Sequence, residues 1–161
     1  MSIVKHIVFA GIALLGLTTV LQLSSHPAAA TRSVGIAGQL APSIHQGEWI
    51  DAKGQPVQPP RLSEHTGQTV VLYFFQDWCP GCKEVGFPNL KKMVDALADE
   101  PKVQFYAIQT VFEGSFINTP DKVRKNQRDY NLAIPMGHDE GDDDNQVPSA
   151  IRYRSGGTPW M

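Results

Sequence analysis

Cys79 and Cys82 are the only cysteines in the chain, and two residues separate them. That spacing closes a small disulfide ring. The thiolate, not the thiol, is the attacking form, and a free cysteine is mostly thiol at neutral pH. A helix N-terminus changes this, because its unpaired N–H groups and its macrodipole favour negative charge. In Cys-x-x-Cys motifs the first thiol commonly ionises between about pH 3.5 and about pH 7.5. The chemistry this pattern suits is thiol–disulfide exchange through a mixed disulfide. Cys79 would be the exposed attacking sulfur, and Cys82, one turn later, the less exposed resolving sulfur. Pro80 suits a first helical turn, where its missing N–H would have been unpaired anyway. Gly81 lets a substrate backbone come close.

The flanking residues supply the elements that such a pair needs. The run from Thr69 to Phe75 is β-branched and aromatic, long enough for a strand and apolar on both faces, as in a buried sheet. After Cys82, Leu90, Met93, Val94 and Leu97 recur at helical spacing and predict a core-facing stripe. Lys91, Lys92, Asp95 and Asp99 take the wet face. Pro88 should kink this helix or end a first short segment. A second long strand is expected over 103–111. Thr119 and Pro120 mark a helix start, as N-cap and first residue, and a charged surface helix follows over 123–130. A short strand is expected at 133–136 and a short helix at 148–153. The β-α-β-α-β alternation predicts an α/β domain with a parallel sheet core. Upstream, Trp49–Asp51 and Pro56–Val57 flank a turn at Gly54 and read as a hairpin. Arg61–His65 reads as a helical turn.

Together these motifs resemble the thioredoxin-like superfamily, most closely its exported TlpA/ResA-like (redoxin, AhpC/TSA-type) branch. The carrying residues are the strand 70–75, Trp78-Cys79-Pro80-Gly81-Cys82 and the late Gly156-Gly157-Thr158-Pro159. Leu40-Ala41-Pro42, Gly54 and Gly67 fit the same branch, so the resemblance covers about 38–161. It implies a thioredoxin-like fold, a central mixed sheet flanked by helices. It also implies a cis bond before Pro159, with Thr158 pairing its backbone with a substrate strand and Trp78 packing beside the cysteines. Two departures stand out. Tyr73 occupies the position of thioredoxin's buried Asp, so that proton-transfer role does not carry over. Pro88 falls one residue late, which implies an extra residue near Gly86. The family's last two strands and helix have no counterpart before Met161. The resemblance thus implies a C-terminally incomplete domain over 40–161, with an open edge on the strand before the cysteines.

Residues 1–30 read as a signal peptide or membrane anchor. Lys5 is a thin basic region, 7–23 an apolar run, and Ala28-x-Ala30 a small-residue cleavage pattern. The run approaches bilayer-spanning length, so anchoring through 7–23 is the alternative to cleavage. Either route puts the domain in the periplasm or another extracytoplasmic space, where disulfides persist. Residues 31–39 read as a tether. Sixteen acidic against fourteen basic residues give a net charge of −2, which excludes a general nucleic-acid footprint.

Other readings of the cysteines are weaker. A structural disulfide this short constrains little chain. A zinc site needs two more ligands, and the sequence has neither another cysteine nor a suitably spaced histidine pair. The acidic stretch 137–145 lacks the closing Glu of an EF-hand and reads as a solvated loop, with His138 as a surface residue. The expected activity is an exported thiol–disulfide oxidoreductase with no metal and no organic cofactor, the Cys79–Cys82 disulfide being its redox group. Its expected partners are protein thiols or disulfides and an electron-donor thiol protein. The alternatives are a peroxiredoxin-like peroxide reductase and a non-catalytic metal-binding or interaction module. Against the first, Gln76 stands where peroxiredoxins have Thr. Against the second, no Met-rich cluster supports a soft-metal site.

Overall fold

The structure, a computed structural model, describes residues 34–44, 47–141 and 148–161. Residues 1–30, read as a signal peptide or membrane anchor, the first residues of the expected tether, His45 and the acidic residues 142–144 lie outside the described residues. Five strands form one mixed sheet in the order β2-β1-β5-β4-β3. They are β1 (Trp49–Ile50), β2 (Pro56–Val57), β3 (Thr69–Phe75), β4 (Val103–Thr110) and β5 (Met136–Asp139). β3, β4 and β5 are parallel, with Thr69 opposite Val103 and Ala107 opposite Met136. The hairpin β1–β2 joins them antiparallel through β1, with Trp49 opposite Gly137. The helices are α1 (Phe87–Ala96), α2 (Pro120–Asp129) and α3 (Ser149–Arg152), and Leu62–His65 forms a 3-10 turn.

Alternating strand residues build two cores, one on each face of the sheet. Tyr73, Phe75, Phe87, Leu90, Ala107 and Met136 pack on the α1 face with both cysteines. Phe74, Tyr106 and Ile108 pack on the other face with Ile44, Trp49 and Ala150. The helical stripe holds at its first three positions but not at the fourth, Leu97. Leu90 is fully buried, Met93 and Val94 pack against the core, and Leu97 ends the helix half-exposed. β3 lies at the sheet edge, as expected. On its outer side one antiparallel bridge forms, with Phe74 and Trp160 exchanging N–H···O bonds of 2.8 and 3.1 Å. Residues 34–39, read as a tether, are folded into turns, and Gly35 N–H donates to Arg154 O at 2.9 Å.

Three sequence expectations are corrected. The strand expected at 133–136 begins only at Met136 and runs to Asp139. It continues because β4 pairs with one side of it and β1 with the other. Gly137 makes the second pairing possible, since a Cβ there would lie 2.3 Å from the Trp49 ring. His138 is therefore not a surface residue. It is 4% exposed, and its Nδ1 lies 2.9 Å from Gln109 Nε2. Asp139 is also buried, and its Oδ2 accepts the Ser149 N–H at 2.6 Å. These side-chain partners offset part of the cost of burying polar groups, a cost that otherwise keeps such residues in loops. Nor is α2 a plain surface helix. Val123, Asn126 and Gln127 are buried, and Gln127 Nε2 donates to Asp51 O and Ile134 O.

Candidate active site

β3 ends at Phe75, and the chain then turns tightly, with Cys79 N–H donating to Gln76 O at 3.2 Å. The turn delivers both cysteines to the start of the helix as free thiols. Cys82 N–H donates to Cys79 Sγ at 3.2 Å. This is one of the first-turn N–H groups that have no helical carbonyl to bind, and here it points at the sulfur. Cys79 Sγ also lies 3.5 Å from Thr158 O, its acceptor. Cys79 is more covered than an exposed attacking sulfur suggests, at 6%, while Cys82 is fully buried. Their order of exposure is the expected one.

The late Thr158–Pro159 segment meets the pair, and its peptide bond is cis. Pro159 Cδ lies 3.3 Å from where a Cβ would stand on Gly81, so only glycine fits there without displacing the ring. Burial pushes the Cys82 thiol up to about 11, and its hydrogen bond with Cys79 adds to this. The Gln76 backbone N–H and the Thr158 side chain act in the opposite sense. Of the residues picked from sequence, the structure thus brings Cys79, Gly81, Cys82, Thr158 and Pro159 together. Pro80 is exposed in the first turn. Trp78 is 43% exposed and leans the other way, bordering a shallow cleft of about 170 Å³ with Glu113, Gly114 and Ile117.

The extra residue implied by the late Pro88 appears as a π turn over Cys82–Gly86, closed by Phe87 N–H donating to Cys82 O. One wide turn absorbs one added residue inside a helix. Gly86 is required here: a Cβ would stand 2.1 Å from Tyr73 Oη and 3.1 Å from Pro159 Cβ. Tyr73, set aside in the sequence reading, sends its hydroxyl into this space and donates to Cys82 O at 3.2 Å. It is 1% exposed. Burial, with Cys82 beside it, holds its phenol far above the usual tyrosine range.

Sequence reasoning also missed Asp77, two residues before Cys79 and 5% exposed. Its backbone N–H donates to Asn118 Oδ1 at 2.7 Å, and its Oδ1 accepts from Asn126 Nδ2 at 2.9 Å. Lys122 Nζ lies 3.3 Å from one carboxylate oxygen and Lys83 Nζ 3.7 Å from the other. Asn118 Nδ2 in turn donates to Glu113 O and Gly114 O. The carboxylate therefore ties the turn before the cysteines to α2, and the backbone N–H of the same residue ties it to the loop beside Trp78. One signal was present: Asn126 lies three residues after the apolar Val123, on the face of α2 that must be buried.

Comparison with known proteins agrees with this geometry. The AhpC/TSA family model matches residues 37–149. A thioredoxin-like superfamily protein, SPOA0173, is 29% identical with a TM-score of 0.60, over 74% of each chain. A thiol-disulfide isomerase from Corynebacterium glutamicum is 26% identical with a TM-score of 0.58, over 74% of this chain and 75% of its own. The thioredoxin domain of a thiol-disulfide oxidoreductase from Bacteroides vulgatus, 24% identical with a TM-score of 0.53 over 76% of each chain, shares the fold. No curated protein matches the chain. The chain belongs to the AhpC/TSA family and has the thioredoxin-like fold of thiol–disulfide oxidoreductases.

Proposed function

We propose that this protein is an exported thiol–disulfide oxidoreductase that exchanges protein disulfides through Cys79 and Cys82. The observation that carries the reading is the environment of the first sulfur. Cys79 Sγ receives the Cys82 N–H at 3.2 Å and sits 3.5 Å from the Thr158 carbonyl, in the cleft between the helix start and the cis-proline segment. The N–H donor and the carbonyl acceptor together hold this sulfur at the helix start, beside the segment that a substrate would meet. The thiolate attacks a substrate disulfide, one substrate sulfur leaves as thiolate, and a mixed disulfide forms on Cys79. Cys82 then attacks Cys79 and releases the second substrate sulfur. Gly81, with no side chain, lets Pro159 close on the helix start, and the substrate backbone pairs with Thr158. The exposed Pro80 offers an apolar rim. Another thiol protein returns the pair to the dithiol state, and no organic cofactor or metal takes part. Export is supported by the apolar run 7–23 and the Ala28-x-Ala30 pattern.

Peroxide reduction is the second reading, favoured by the family match. It is the weaker one, because position 76 carries Gln in place of the Thr of peroxiredoxins. The direct test is trapping. Cys82→Ser incubated with a disulfide-bonded protein should accumulate a covalent adduct on Cys79 that reductant releases, and Cys79→Ser should form none. Equal adduct in both variants would remove the reading.

A further inference from the structure

The structure assigns Tyr73 a part in the resolving step: its hydroxyl, now on the Cys82 carbonyl, turns to the Cys82 sulfur as that thiol gives up its proton. The inference rests on the roles proposed above for the two cysteines. In that step Cys82 Sγ bonds to Cys79 Sγ, and the Cys79–substrate S–S bond breaks. The proton lost by Cys82 ends on the departing substrate thiolate, and two electrons have passed from the cysteine pair to the substrate. The sulfur that must ionise is fully buried, and burial disfavours the thiolate. A donor that can follow the developing charge lowers that barrier.

Five observations point to Tyr73. Its hydroxyl already donates to the carbonyl of the same residue, Cys82 O, at 3.2 Å. That carbonyl does not depend on it, because the π turn gives it the Phe87 N–H as well. The hydroxyl can therefore leave without orphaning a buried acceptor. The ring itself is locked, stacked on Phe75 with centroids 5.9 Å apart and edge-on to Phe87 at 5.2 Å. Rotation of the O–H bond is then the motion required, which costs no repacking. Gly86 holds the space open, since a Cβ there would sit 2.1 Å from the hydroxyl oxygen. Burial keeps the phenol protonated, so it acts as a donor and never as the base.

The test uses the full reduced chain and a chromogenic aryl disulfide, 5,5′-dithiobis(2-nitrobenzoate), in excess in a stopped flow. Attack by Cys79 releases one aryl thiolate, and resolution by Cys82 releases the second. In Tyr73→Phe the first phase should keep its rate, while the second slows about tenfold at neutral pH. Its pH profile should also move to higher pH. An unchanged second phase and profile would overturn the part given to Tyr73. Cys82→Ser should release one equivalent only; a second equivalent from that variant would instead overturn the cysteine roles themselves. Should Tyr73→Phe lose cooperative unfolding, the same phases are read with 3-fluorotyrosine at position 73. This more acidic donor of similar shape should accelerate the second phase, and no acceleration would overturn the proposal.

Discussion

α1 and α2 each have ten residues, each follows a strand of the parallel sheet, and each carries a proline in its first turn. They begin in opposite ways. α2 starts from Thr119 in extended backbone, with Pro120 at its first position and no side-chain cap bond. α1 is reached through two cysteines and a π turn, with Gly86 pressed between Tyr73 and Pro159. The plain start only launches a helix. The widened start holds a buried sulfur, a phenol and a cis proline in one place. The comparison teaches that irregular backbone has gathered where the reactive groups sit, the pattern expected when π turns mark functional sites. α2 still serves the other helix: Asn126 and Lys122 reach Asp77, which anchors the turn before Cys79.

Substitutions at the two starts should separate in size. Phe87→Ala removes the ring that packs on Tyr73, Phe75 and Tyr130 and should cost about 3–5 kcal/mol in urea unfolding. Gly86→Ala places a Cβ against the Tyr73 hydroxyl and should cost about 1–3 kcal/mol as overpacking. It should also displace that hydroxyl, slowing release of the second aryl thiolate but not the first. Asp77→Ala strips acceptors from Asn126 and two lysines. Both lysines are about 40% exposed and can return to water, so about 1–3 kcal/mol is expected, near the cost of one charged hydrogen bond. Thr119→Ala should change stability by less than about 0.5 kcal/mol, below the usual cost of losing an N-cap, since no cap bond exists to lose. A loss of 1 kcal/mol or more there would erase the contrast between the two starts.

Alkali gives a further test. The Cys82 thiol ionises at about 11 when folded against an ordinary value of 9.0. Between these values only the unfolded chain has lost the proton, so its contribution to stability is fully present below about pH 9. It is lost progressively as pH rises toward 11. Tyr153, pushed up to about 12 by burial, extends the loss in the same direction. Urea midpoints should fall across this range. Cys82→Ala should flatten the part between 9 and 11.

Much of this was legible in the chain because it is local. The strand, the cysteine pair and the helical stripe follow from residue type and period. The widened turn announced itself through Pro88 standing one residue late, and the cis bond through the resemblance at Thr158–Pro159. The rest depends on partners far away in sequence. His138 and Asp139 read as the start of a polar loop, and partners distant in sequence, Gln109 and the Ser149 N–H, help make their burial in β5 affordable. Asp77 looks like an ordinary turn residue until Asn118 and Asn126, 41 and 49 residues on, are folded against it. Tyr73 read as a departure at the position of thioredoxin's buried Asp, with no role of its own, because its hydroxyl has meaning only where Gly86 leaves space beside it.

The most direct test of the central claim is turnover of insulin disulfides with dithiothreitol as electron donor, comparing the full chain with Cys79→Ser. The account predicts that the wild-type chain accelerates reduction well above the dithiothreitol background and that Cys79→Ser falls to that background. Equal rates for the two proteins would contradict it, whatever the geometry around the pair.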